Sequence, residues 1–321
     1  MTRSSGRAAR RRYPELIVAM LLAVGGVHPA VAQVSDVQRP GVAEAETTIV
    51  LPEPPVTLER GAMQVTVSGE GPDVVLIPGL ASPADVWDAT VRQLDADRRV
   101  HVVGVRGFGG LEASDSPAPV VPALVAELAA YMEGMRGVTV VGHSLGGVVA
   151  LQLARDVPAV SRAVVVEALP FYPVLFDPDA TVESAAPGAQ AMLSRMAGVD
   201  VEQFRAMQRQ GAAIYAKSPE DVARIGDWGA ASDRPTVISA TGTLMATDLR
   251  PDLASITKPV RILYAHDPAM GRAVEDYSAL WEAQYADLPD GELTRIDGSY
   301  HFIMFDQPEA FAAALSDALE N

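Results

Sequence analysis

The chain contains no cysteine, which excludes a disulfide framework, a thiol nucleophile, a cysteine-bound zinc or iron–sulfur site and a lipid-modified N-terminal cysteine. It is short of positive charge: 25 Lys and Arg stand against 41 Asp and Glu, a formal net charge of −16. That balance argues against a nucleic-acid backbone or an anionic lipid surface as partner. Histidines number only five and do not cluster with carboxylates at ligand spacing, so no metal site is expected. The Gly107-Phe108-Gly109-Gly110 loop lacks the spacing and helix start of a dinucleotide fingerprint. No cofactor is expected.

Long hydrophobic runs are also missing. The apolar stretch from Leu16 to Val27 is too short for a comfortable membrane span. It follows Arg3, Arg7, Arg10, Arg11 and Arg12 and precedes Ala30-Val31-Ala32, so residues 1–32 read as a secretory signal peptide cleaved before Gln33, with an uncleaved anchor as the alternative. Loss of five arginines and Glu15 would take the formal charge from −16 to −20. The mature protein is expected to be periplasmic or secreted, with no stable membrane insertion.

What is present is a globular composition, 321 residues with 49% hydrophobic and 21% charged, enough for a sizeable core. Residues 33–57, rich in Pro, Glu, Ala and Thr, read as a flexible tether, with Thr48–Leu51 as an optional irregular strand. Met63, Val65 and Val67 alternate with polar residues, a Gly69–Pro72 turn follows, and Val74–Ile77 is wholly apolar. The pattern predicts an edge hairpin feeding a buried sheet. Further apolar runs at Val100–Val103, Val138–Val141, Ala163–Val166, Val260–Ala265 and Leu293–Ile296 read as strands. Helical patterns fall at Ala84–Leu94, Val120–Met135, Leu145–Ala154, Arg272–Ala286 and Pro308–Leu319. Such alternation predicts an α/β fold with a mostly parallel, doubly wound sheet. Asp306, Pro308 and Glu309 supply a start signal for the last helix. The stretch 169–258 breaks the alternation with helical patterns at Ala189–Met196, Val201–Ala213 and Pro219–Ile225 and no strand. It is read as a helical cap over the ligand crevice, between core segments 58–168 and 259–321.

The strongest motif is Gly142-His143-Ser144-Leu145-Gly146, a Gly-x-Ser-x-Gly directly after a predicted strand and opening a predicted helix. A serine on such a bend is lifted above the sheet, and the Leu145 amide sits at a helix N-terminus, ready to donate to an oxyanion. The hydroxyl needs a base. His101 lies within a strand, His143 on the elbow itself and His266 at a strand end. His301, on the loop between the last strand and the last helix, is the expected base. The expected acid is Asp267, just past the Val260–Ala265 strand. Glu167, at the end of the preceding strand, is the alternative, and Asp297 ranks third. Pro78-Gly79-Leu80 offers a second oxyanion amide, that of Leu80.

With these residues the chain resembles the α/β-hydrolase family from about Met63 to the C-terminus. The resemblance rests on the Gly142–Gly147 elbow, the Pro78-Gly79-Leu80 loop, the Gly104–Gly110 loop, Asp267 and His301. It implies an eight-stranded, mostly parallel sheet with a lid after the sixth strand, and hydrolysis through an acyl-serine. Pro78-Gly79 stands where members of the family often carry His-Gly, and Tyr300 where a glycine often precedes the histidine. A serine rather than an aspartate nucleophile argues against dehalogenases and many epoxide hydrolases. Phe171, Tyr172, Phe176, Met192, Met196, Phe204, Met207, Tyr215 and Met245 give the cap an apolar character suited to packing onto the core or to an adaptable pocket. The expected reaction is hydrolysis of a neutral, moderately apolar carboxylic ester. The alternatives are a lactone, amide or carbon–carbon hydrolase with the same triad, or a non-catalytic binding protein on this scaffold.

Overall fold

A computed structural model describes residues 56–115 and 119–320. The signal-peptide reading of 1–32 and nearly all of the 33–57 tether, Thr48–Leu51 included, lie outside the described residues.

Eight strands form one sheet: β1 (Val56–Glu59), β2 (Met63–Ser68), β3 (Asp73–Ile77), β4 (Arg99–Val105), β5 (Val138–His143), β6 (Val160–Val166), β7 (Val260–His266) and β8 (Gly291–Asp297). Their order is β1-β2-β4-β3-β5-β6-β7-β8. The pairs β1–β2 and β2–β4 are antiparallel and every other pair is parallel. The central strands are the all-apolar ones: Val74–Ile77 and all of β5 are buried, as a sheet covered on both faces requires.

The expected hairpin between β2 and β3 is not there. Strand β4 lies between them, and β2 forms its hairpin with β1, closed by the Arg60 amide donating to the Met63 carbonyl at 2.9 Å. The reason is physical. A strand apolar on both faces belongs in the interior of a parallel sheet, whereas alternating β2 can sit one strand from the edge.

Around the sheet run α1 (Asp88–Leu94), α2 (Val120–Tyr131) and α3 (Leu145–Asp156). Between β6 and β7 come α4 (Val182–Gly198), α5 (Val201–Gly211), α6 (Pro219–Ala231) and α7 (Arg234–Ala246). Three more follow: α8 (Val274–Gln284), the one-turn α9 (Ile303–Asp306) and α10 (Pro308–Glu320). In the cap, α4 packs on α7 and α5 on α6. Capping boxes at Thr181/Ser184 and Asp200/Gln203 start α4 and α5. Helix α7 was not expected: its apolar residues are interleaved with Thr, Ser and Gly. Its start signal is nevertheless present, Asp233 accepting from the Thr236 amide with Pro235 in the first turn. No described helix is long and apolar enough to cross a membrane.

Candidate active site

The ends of β3, β5 and β6 are brought level by register. Ile77 pairs with Gly142 and His143 with Val166, so the loops after these three strands emerge side by side. Ser144 follows β5 with φ 53° and ψ −119° and is the N-cap of α3. Its amide donates to the Val166 carbonyl at 2.9 Å, and its carbonyl accepts from the Gly147 amide at 2.8 Å. The flanking glycines are there for space. A Cβ on Gly142 would overlap the Gly146 carbonyl, and one on Gly146 would overlap the backbone carbonyls of Ile77 and Pro78. Leu145 is the first residue of α3, where the amide has no intrahelical acceptor. Gly79 lies against the elbow, its absent Cβ 3.1 Å from the Ser144 Cβ, which brings the Pro78-Gly79-Leu80 loop to the same point. The loop that carries Leu80 and the first residue of α3, Leu145, thus both adjoin Ser144.

His301 lies on the loop between β8 and α9, and this loop seats over the elbow. Its carbonyl accepts from His143 Nε2 at 3.0 Å, and the two rings are 4.7 Å apart between centroids. With Nε2 donating, His143 is the neutral Nε2–H tautomer. Burial and the neighbouring His301 hold its pKa well below the ordinary imidazole value. His143 is thus a brace under His301. Burial also pushes the His301 imidazole down to about 4. No hydrogen bond joins the Ser144 hydroxyl to His301 among the described residues; in hydrolases without substrate this contact is often long and tightens only in the Michaelis complex.

The carboxylate facing His301 is Glu167, with Oε1 3.9 Å from His301 Nδ1. The expected acid, Asp267, is engaged elsewhere: Oδ2 accepts from Lys217 Nζ at 2.7 Å and Oδ1 from the Ala269 amide at 2.8 Å. The Lys217 ammonium holds its carboxyl below the usual range. Register accounts for the different placement of the two carboxylates. Val166 pairs with Leu263, so Glu167 leaves the sheet at the level of Ser144, while β7 runs on for three more residues before Asp267. At ~3.3 Å per residue in a strand, that carries Asp267 about 10 Å past this level. Glu167 is buried, its Oε2 accepting from the Ala265 amide at 2.6 Å, and desolvation pushes its carboxyl up to about 8. Asp297, the third candidate, pairs with Arg295 at 2.7 Å.

Backbone strain marks the same place. Among the described residues, Ala81, Ser144 and Glu167 are the non-glycine residues with positive φ, at 60°, 53° and 50°. They sit just past β3, β5 and β6. Asp267, at φ −140°, is ordinary extended backbone. Strained residues concentrate at functional sites.

The remaining described histidines, His101 and His266, are held structurally. His101 bonds Tyr131 Oη at 2.7 Å and Asp73 Oδ1 at 3.0 Å, and His266 Nε2 reaches the Arg272 carbonyl at 3.3 Å. Two cap residues also reach the site: Ser232, which the sequence did not flag, and Tyr215, read from sequence only as part of the apolar cap. Ser232 accepts from the Gly109 amide at 2.8 Å and lies 3.3 Å from the Ala81 carbonyl, and the Tyr215 carbonyl accepts from the Phe302 amide at 2.9 Å. Asp306, expected to start the last helix, instead accepts from the amides of Lys217 and Tyr300 at 2.8 and 2.7 Å. Among the described residues no cluster of three or more His, Asp and Glu is disposed to hold a metal ion.

A sequence model of the alpha/beta hydrolase family matches residues 74–314. The chain is 27% identical over 267 residues to the pimeloyl-(acyl-carrier protein) methyl ester esterase of Nitrosomonas europaea, covering 80% of this chain and 99% of that one. It is 26% identical over 278 residues to the N-formylmaleamate deformylase of Pseudomonas putida, covering 79% and 90%. Among solved structures, the enol-lactonase from Burkholderia xenovorans LB400 shares the fold, with a TM-score of 0.64 at 19% identity over 81% of this chain and 96% of that one.

Proposed function

The chain belongs to the α/β-hydrolase family and is a hydrolase, and on that footing we propose that it is a serine hydrolase of carboxylic esters. Ser144 is the nucleophile, His301 the base and Glu167 the acid, and the Leu80 and Leu145 amides receive the oxyanion. The observation that carries this reading is the strained Ser144 at φ 53° between β5 and α3, under a loop that turns His301 toward Glu167.

In the reaction His301 Nε2 takes the Ser144 proton as Oγ attacks the ester carbonyl. The amide donors hold the negative oxygen of the tetrahedral intermediate. Protonated at both nitrogens, His301 is stabilised by the Glu167 carboxylate on its Nδ1 side and then gives the Nε2 proton to the departing alcohol. Water, deprotonated by the same nitrogen, releases the acid from the acyl-serine and restores Ser144. A chain with formal charge −16 disfavours anionic substrates, and the ring environment of His301 from His143, Tyr215 and Phe302 suits an apolar group beside the reacting carbonyl. Neutral, moderately apolar esters are the substrate class. The signal-like pattern of residues 1–32 adds export, to the periplasm or medium, to this reading.

The test is covalent. The mature protein should react with a fluorophosphonate probe and turn over p-nitrophenyl esters, and Ser144→Ala should do neither. Absence of both in the unmodified protein would refute a serine hydrolase. The deformylase and enol-lactonase relatives put amides and lactones on the same substrate panel; preference for one of these over every ester tried would replace the ester.

A further inference from the structure

The cap reaches the loop that carries His301 at two points on one short turn between α5 and α6. Lys217 Nζ donates to Asp267 Oδ2 at 2.7 Å and to the Gly298 carbonyl at 3.1 Å. The Lys217 amide donates to Asp306 Oδ1 at 2.8 Å, and Oδ2 of the same carboxylate accepts from the Tyr300 amide at 2.7 Å. Two residues earlier, the Tyr215 carbonyl accepts from the Phe302 amide at 2.9 Å, and its ring lies 5.4 Å from that of His301. The loop is therefore gripped before the histidine at Gly298, beside it at Tyr300 and after it at Phe302. The ion pair is half open to solvent on the lysine side, with side-chain exposures of 44% for Lys217 and 11% for Asp267.

We propose that Lys217 is a positioning residue for His301, and that Asp267 is its anchor: together they latch the docked cap to the His301 loop, so that the base is aligned on Ser144 only while the cap is closed. This rests on the serine-hydrolase reading and adds to it. An acidic residue at the end of β7 is used to hold a cap lysine, while Glu167 on the neighbouring strand faces the histidine. The coupling follows from geometry. The described residues give the His301 ring one ionic neighbour, at 3.9 Å, so the ring takes its direction from the loop, and displacements of about 1 Å at a reacting group lower rates ~100-fold. Lys217 also faces Asp306 and the Tyr300 ring, 6.0 Å from its Nζ; Asp267 has the His266 imidazole as a second, weaker electrostatic neighbour.

The experiment compares the mature protein with Lys217→Met, Lys217→Arg, Asp267→Asn and the double variant Lys217→Met/Asp267→Asn. Three readouts apply: p-nitrophenyl acetate kinetics, the rate of fluorophosphonate labelling, and hydrogen exchange of the Tyr300 and Phe302 amides. Lys217→Met and Asp267→Asn should each lower kcat at least tenfold with KM within twofold. The double variant should be no worse than either single, because both remove one interaction, and Lys217→Arg should recover most of the rate. The Tyr300 and Phe302 amides should exchange faster in both single variants. Losses that multiply in the double variant, or a loss on Asp267→Asn with none on Lys217→Met, would overturn the latch. If the unmodified protein fails to label, the hydrolase reading falls. The exchange data then decide the latch by themselves: faster exchange in Lys217→Met upholds the tie, and unchanged exchange overturns it.

Discussion

Replacing Glu167 with glutamine should move stability and turnover in opposite directions. Burial raises this carboxyl from its ordinary 4.5 to about 8, so between those values the unfolded chain has released a proton that the folded chain retains. A folded pKa raised for an acid means stability is fully present below about 4.5 and is lost as pH rises toward 8. Each pH unit of that window is worth about 1.4 kcal/mol, so by pH 7 the loss is about 3 kcal/mol and above pH 8 about 5 kcal/mol, as an upper bound. Glutamine keeps an oxygen to accept from the Ala265 amide and carries no charge, so the variant escapes the loss. Urea unfolding at intervals from pH 4.5 to 9 should show Glu167→Gln matching the parent at the acid end and gaining on it steadily up to pH 8, then holding level. Turnover should meanwhile fall by roughly 10³ to 10⁴, because an amide neither stabilises the imidazolium nor selects the Nδ1–H tautomer. A stability gap that ignores pH would refute the buried-acid argument. Near-normal turnover in Glu167→Gln with a severe loss in Asp267→Asn would return the acid role to Asp267.

The same titration sets the activity profile. Below about pH 8 Glu167 holds its proton and has no charge with which to stabilise the His301 imidazolium, while His301, pushed to about 4, stays neutral throughout. The acid limb of kcat/KM should therefore fall about tenfold per unit below pH 8, and a plateau reaching down to pH 6.5 would contradict it. Gly146→Ala should yield little folded protein, since its Cβ would meet the Ile77 and Pro78 carbonyls with no flexible atom to yield, a destabilisation of more than about 3 kcal/mol; recovery of a cooperative unfolding transition at the parent's midpoint would count against the packing. Ser232→Ala should lower stability by about 1–3 kcal/mol by leaving the Gly109 amide without its acceptor, measurable as a shifted urea midpoint with an unchanged slope.

The parallel sheet was legible because its signal is local. Val74–Ile77, Val138–Val141 and Val260–Ala265 are apolar on both faces, and only strands covered on both sides read that way. The elbow was legible for the same reason: Gly142, Ser144 and Gly146 stand within five residues of each other and carry their own packing requirement. The partners of β2, the carboxylate that faces His301 and the cap contacts are long-range facts. Nothing between Met63 and Ile77 shows that β4 will separate β2 from β3. Asp267 and Glu167 look alike from sequence, each a carboxylate at a strand end; the pairing of Val166 with Leu263 separates them, and register is not written in either strand alone. Lys217 carried no local sign at all, since its partners Asp267, Gly298 and Asp306 lie 50 to 89 residues away.

Strain supplies the link between register and chemistry. Holding Ala81, Ser144 and Glu167 at positive φ costs about 1–3 kcal/mol each, together a sizeable share of the roughly 5–15 kcal/mol by which domains are stable. Glycine would relieve that cost at all three positions, and none of them is glycine. A serine side chain at the second and a carboxylate at the third are what a nucleophile and an acid require, and alanine at the first follows directly on the Leu80 amide. Asp267 stands in unstrained backbone with a cation already on its oxygen, and the fold gives up nothing locally to present it to His301. The strained conformations and the facing of Glu167 on His301 are separate observations, one from the backbone and one from side chains, and they coincide at Glu167, on the strand end beside Ser144.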